Sequence, residues 1–280
     1  MATSNPVLTR VEKEAGSGFA YQEGRSAYAA ASGQGSPATS AAGADNLIRT
    51  VGGQAAVTVN DVVMKTGLLF LCLVASGVVG WKVGAAHPIL MFGAMIIAFG
   101  LAMANSFMKA INPALVILYA VLEGFVLGAI SVWYSSIAST NGNPNSNIVY
   151  QAVLGTVVAF GVMLLLYATH VIRVTGRFVR MMMIGLISYG IIAFASLIGS
   201  FMGVGQGWGF YGVHGLGLLL CVAGVGLASF TLALDFESIS RSVAAGVPER
   251  ESWRLAFGLM VTLVWLYLEI LRLLAILNRR

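Results

Sequence analysis

The stretch Arg254–Leu277, RLAFGLMVTLVWLYLEILRLLAIL, decides the fold. From Leu255 to Leu268 it carries no charged residue, and at about 1.5 Å of rise per residue the whole segment covers the ~30 Å of a hydrocarbon core. It reads as a membrane-crossing helix with a carboxylate, Glu269, inside it. Helical spacing sets Thr262, Trp265 or Leu266, Glu269 and Arg272 along one stripe, which predicts an inward-facing polar seam, because lipid satisfies none of these groups. A local alternative is a Glu269–Arg272 pair at i, i+3, with Arg272 snorkelling toward the membrane surface. An ionisable group at depth costs roughly 2.5–3.5 kcal/mol on insertion scales, so a functional role is the default expectation.

The rest of the chain has the same character. Of 280 residues 58% are hydrophobic and 10% charged, against roughly 25% charged in soluble domains. The composition predicts an all-α, polytopic membrane protein whose first partner is the lipid bilayer. The net charge of +5 does not point to nucleic acid, since the basic residues stand singly at the ends of apolar runs and form no patch with interleaved aromatics. Cys72 and Cys221 both lie within apolar runs and make neither a disulfide framework nor a metal site.

Residues 1–60 are different material: mixed charges at Arg10, Glu12, Lys13 and Glu14, then the Ala/Ser/Gly-rich run SAYAAASGQGSPATSAAGA from Ser26. Such a segment builds no core, and it lacks the pattern of a secretory signal, so it is expected to be a disordered cytoplasmic tail. Residues 61–280 form the expected membrane domain. Its uncharged runs predict spans at about 64–81, 87–107, 113–138, 148–171, 180–202, 211–235 and 254–277, seven in all, separated by Gly, Pro and Asn clusters such as TNGNPNSN and GVGQGWGFYG. With the amino terminus inside, Arg49, Lys65, Lys109, Arg173, Arg177, Arg180, Arg241, Arg250 and Arg254 are cytoplasmic, while the other side holds Lys82, Arg279 and Arg280. That asymmetry predicts an inside amino terminus and an outside carboxyl end.

Two spans carry small-residue faces. In the sixth, His214, Gly217, Cys221, Gly224, Ala228, Thr231 and Asp235 recur at alternating spacings of three and four; in the third, Ala120, Gly124, Gly128 and Ser131 surround Glu123. These faces predict close helix packing. Glu123 is the only charge between Ala110 and Ile172, which places it near mid-membrane, where a protonated carboxyl bonded across helices is the structural alternative to a role in ion passage. Asp235 closes the sixth run and reads either as a functional acid or as a wetted helix end. His87, His170 and His214 fall at span ends at no common depth, so no metal site is expected.

Enzyme chemistries find no support. Every lysine lies at or before Lys109, which excludes a retinal Schiff base in the last helix. The nearest approach to an intramembrane serine nucleophile is Gly185-Leu-Ile-Ser188, with no histidine at matching depth, and neither a HExxH motif nor a phosphate-cradling loop is present. Neither catalysis nor a cofactor is expected.

Residues 58–280 resemble the Bax-inhibitor/YccA family, the transmembrane Bax-inhibitor-motif superfamily. The resemblance is carried by TVNDVVMKTG at Thr58, LEGFVLGAIS at Leu122, LDFESI at Leu234 and TLVWLYLEILRLL at Thr262; these and the opening SNPVL are similar to one bacterial branch. It implies seven helices with the last enclosed by the other six, a multi-pass protein of the inner (plasma) membrane, and, as in some members, a pH-dependent leak for Ca²⁺ or other cations. Other members are linked to modulation of a membrane-bound protease, the alternative function. The family's pH sensor is a pair of aspartates. Asp235 matches the first, in a D-x-Q-x-I-like motif with Glu237 in place of Gln and Ile239 following. For the second, aligning L-Y-L-D on Leu266-Tyr-Leu-Glu269 selects Glu269, whereas aligning the arginine-leucine ending on Leu271-Arg272 selects Thr262. From Arg254, Glu269 is about 22 Å along the helix and Thr262 about 12 Å; depth favours Thr262 and implies that the second carboxylate is missing or rebuilt. The expected pathway residues are therefore Asp235, Glu269, Glu123, Glu237, Thr262 and Arg272.

Overall fold

The computed structural model describes residues 55–84, 86–108, 111–141, 147–213 and 215–278. The expectations for the tail as far as residue 54, and for Lys109, His214, Arg279 and Arg280, lie outside these residues. Seven helices follow one another: α1 (Val59–Val79), running on into a π-helical turn at Gly80–Gly84, α2 (Pro88–Phe107), α3 (Pro113–Asn141), α4 (Ile148–Ala168), α5 (Gly176–Phe201), α6 (Leu216–Ala244) and α7 (Ser252–Asn278). All seven are long and apolar enough to cross a membrane, and among the described residues there is no strand, only an isolated bridge between Ala56 and Pro248.

Local chemistry explains where they begin. At α1, Thr58 and Asp61 form a capping box, Asp61 N–H donating to the Thr58 hydroxyl at 3.2 Å and Thr58 N–H to the Asp61 carboxylate at 2.9 Å, which satisfies two otherwise orphaned donors. Pro88 and Pro113 open α2 and α3, positions where the missing N–H costs nothing. The turn into α6 passes through Gly215 at φ +79°, a conformation open to glycine at little cost.

The sixth helix differs from the sequence expectation. Its predicted span closes at Asp235, yet α6 runs nine residues further, to Ala244, and starts only at Leu216, the preceding residues Gly209–Gly212 being a 3₁₀ turn. Hydropathy falls where Glu237 and Arg241 enter, but backbone bonding does not, and the two side chains pair one turn apart at 2.6 Å. Asp235 is therefore well inside a helix and not at its wetted end.

Small residues set the tightest contact. A Cβ at Gly128 would lie 2.0 Å from the Gly77 carbonyl, one at Gly124 2.2 Å from that of Leu73, and one at Gly80 2.0 Å from that of Phe125, so α1 and α3 meet backbone to backbone, as small residues allow in membranes.

The last helix is the central one. It packs along α6, α1, α4 and α3, receives Tyr189 from α5, and meets the end of α2 where the Arg254 guanidinium donates to the Met108 carbonyl at 3.0 Å. Half of the apolar window is buried in α7 and in α3 beside it, against 17% in α2, α4 and α5; those outer helices turn residues such as Ile89 and Phe201 outward, as expected of surfaces that meet lipid. Both α1 and α7 begin at one face of the bundle, the near face, where Val57 N–H donates to the Val247 carbonyl at 2.8 Å and Lys65 reaches Glu249 at 3.1 Å and Ser252 at 2.6 Å. The opposite side is the far face.

Candidate functional site in the α6–α7 seam

Depth sorts the polar groups. Glu123 stands ten residues into α3, Asp235 nine before the end of α6 and Thr262 ten into α7, each about 15 Å from the near face at helical rise. At this level Thr262 faces the Asp235 carboxyl, while its hydroxyl donates to the Gly258 carbonyl at 3.2 Å. Thr262 is 7% exposed, and the Asp235 carboxyl oxygen Oδ2 is buried with no partner. No charged group bears on Asp235 among the described residues. Glu123 shares the depth but not the contact, since its carboxyl lies beside Tyr119 one turn back on α3, whose ring packs edge-on against Phe257 of α7, centroids 5.2 Å apart.

Glu237 goes elsewhere. Two residues beyond Asp235, it points away from α7, accepting from Tyr167 of α4 at 3.0 Å and from Arg241 at 2.6 Å. Residues i and i+2 of a helix do not share a face, so Asp235 and Glu237 serve different surroundings.

Seven residues beyond Thr262, about 10 Å farther along α7, Glu269 is 2% exposed. Three donors converge on its Oε1: the Tyr189 hydroxyl at 2.7 Å, Trp265 Nε1 at 3.1 Å and Arg272 Nη1 at 3.0 Å. Its Oε2 is buried without a partner and faces the bare backbone of α6 at Gly224, where a Cβ would come within 2.7 Å of it. Arg272 turns inward and does not snorkel away: Nε donates to the Tyr134 hydroxyl at 3.4 Å, and the guanidinium lies over the Tyr211 ring at 4.4 Å. Tyr211 in turn meets Tyr189, hydroxyl to hydroxyl, at 2.9 Å. A cavity of about 600 Å³ opens beside this cluster, lined also by Trp133 and Trp208.

Sequence reading missed Tyr134, Tyr189, Trp208 and Tyr211. One signal was available: a tyrosine such as Tyr189, deep in an apolar run, carries a hydroxyl that lipid cannot satisfy and so implies a buried partner. Gly224 was read as packing, and the structure adds that its missing side chain makes room for the Glu269 carboxyl.

Seven membrane-length helices, the last of them central, with a buried carboxyl at each of two levels of the α6–α7 seam, define a helical-bundle membrane protein with acids inside its core. The chain belongs to the Bax inhibitor 1 like family, whose model matches residues 5–279. No curated protein matches it.

Proposed function

We propose that the protein is a non-catalytic, pH-sensitive leak for cations, Ca²⁺ among them, that lies in an inner membrane with its amino terminus cytoplasmic and conducts along the α6–α7 seam. One observation carries this reading: Asp235 Oδ2 and Glu269 Oε2 are both buried acceptor oxygens without partners, on the two helices that line the seam. A carboxylate oxygen without a partner in a low-dielectric core attracts a cation, Asp235 more than Glu269, whose charge Arg272 offsets, and hard oxygen ligands suit Ca²⁺. The pH sensitivity belongs to Asp235. The group it faces on α7 is a neutral hydroxyl, that of Thr262, which by turning its proton can donate to a carboxylate or accept from a carboxylic acid, so either protonation state is compatible with the helix contact while only one attracts a cation.

Purified protein in Ca²⁺-reporting proteoliposomes tests this. Asp235→Asn is expected to change both the flux and its pH dependence. Wild-type vesicles no leakier than empty ones from acidic to mildly alkaline pH would overturn the leak and favour a regulator of a membrane-bound protease.

A further inference from the structure

The cluster at the far-face end of α7 does more than seal an acid. We propose that it is a binding site for small organic cations of the guanidinium or ammonium class, and that Arg272 fills it from within as a tethered cation. The Arg272 head already shows the seat such a cation takes: over the Tyr211 ring, with one nitrogen on Glu269 at 3.0 Å and another near the Tyr134 hydroxyl at 3.4 Å. Aromatic faces and a carboxylate together favour a cation, the rings through their quadrupole and the acid through its charge.

Two features separate this seat from an ordinary structural ion pair. An ion pair kept for architecture is enclosed by close packing, whereas a cavity of about 600 Å³ lies beside Arg272, walled by Trp133, Trp208 and Tyr211. The carboxylate is also only half used, since Glu269 Oε2 is buried without a partner although the residue is 2% exposed. Oε2 turns to the backbone of α6 at Gly224, so a cation in the cavity meets Glu269 at Oε1, the oxygen that Arg272 now holds.

The class of ligand follows from what the walls lack. A bare Ca²⁺ takes six to eight oxygens, but this cavity has one carboxylate, and no cluster of three or more metal-ligating side chains exists among the described residues. Trp133 and Trp208, stacked 5.3 Å apart, replace no hydration shell, yet they suit a flat or alkylated cation that is weakly hydrated. The proposal rests on this cavity alone and stands whether or not the bundle leaks.

The test uses the full chain in detergent micelles, titrated with guanidinium and with methylguanidinium far below denaturing concentration, NaCl holding the ionic strength, while tryptophan fluorescence is followed. Trp133, Trp208 and Trp265 line the cavity and report on it. Removing the tethered cation in Arg272→Ala is expected to give saturable binding about tenfold tighter than in the wild type, the order a desolvated cation–π contact is worth. Arg272→Lys, which keeps a tethered cation, should resemble the wild type, and Arg272→Ala with Glu269→Gln should lose the response. Equal responses in the wild type and Arg272→Ala, or undiminished binding in the double variant, overturn the site. Should Arg272→Ala fail to fold, Arg272→Gln keeps a donor for Glu269 without the charge, and a response identical to the wild type then overturns it.

Discussion

Within one seam and about 10 Å apart, the protein keeps two buried acids in opposite ways. Asp235 faces a hydroxyl residue, Thr262, and no cation; Glu269 has a guanidinium, an indole and a phenol converging on one oxygen. The difference teaches what a buried carboxyl is free to do. A neutral partner that both donates and accepts tolerates a proton gained or lost, whereas a guanidinium holds its neighbour to the role of acceptor. By that chemistry the near-face carboxyl is compatible with two protonation states, while the far-face one is held by its guanidinium as an acceptor. Glu237 makes the same point from the surface: its arginine and tyrosine lie where water also reaches, so its pairing decides little.

The contrast breaks first at Arg272. Arg272→Leu leaves Glu269 buried and uncompensated, and a loss of about 3–5 kcal/mol in unfolding free energy in micelles is expected, most of it regained when Glu269→Gln is added. A cost no larger than that of Thr262→Val would erase the distinction. A smaller effect tests the geometry around Glu269. Gly224→Ala puts a Cβ 2.5 Å from the Tyr189 hydroxyl and 2.7 Å from Glu269 Oε2, an overpacking expected to cost about 1–3 kcal/mol, while Gly226→Ala, with nothing within 4 Å of its Cβ, should be neutral in the same thermal melts. The smallest effect belongs to the near-face level. Thr262→Val removes one hydrogen bond and is expected to cost about 1 kcal/mol, and Glu237→Gln about 0.5 kcal/mol or less. If Glu237→Gln alters stability or ion flux more than Thr262→Val does, the seam has been drawn through the wrong acid.

Hydropathy and spacing alone determined much of this. Seven crossings, a last helix whose acid must face inward, and the close-packing faces at Gly124–Gly128 and Gly217–Ala228 all follow from short-range periodicity, because lipid leaves a helix no other way to satisfy polar groups or bring backbones together. The end of α6 was not legible, since hydropathy reports where lipid stops and not where a helix does. Partners were not legible either. The resemblance left Glu269 and Thr262 as rival mates for Asp235; the structure sets Thr262 against Asp235 and gives Glu269 to Tyr189, 80 residues away on α5. Nothing in one helix's sequence names that tyrosine, or turns Glu237 toward Tyr167 of α4. Which side chain reaches a buried acid depends on the tilt and axial register of neighbouring helices, and these are settled only when every interface in the bundle packs at once.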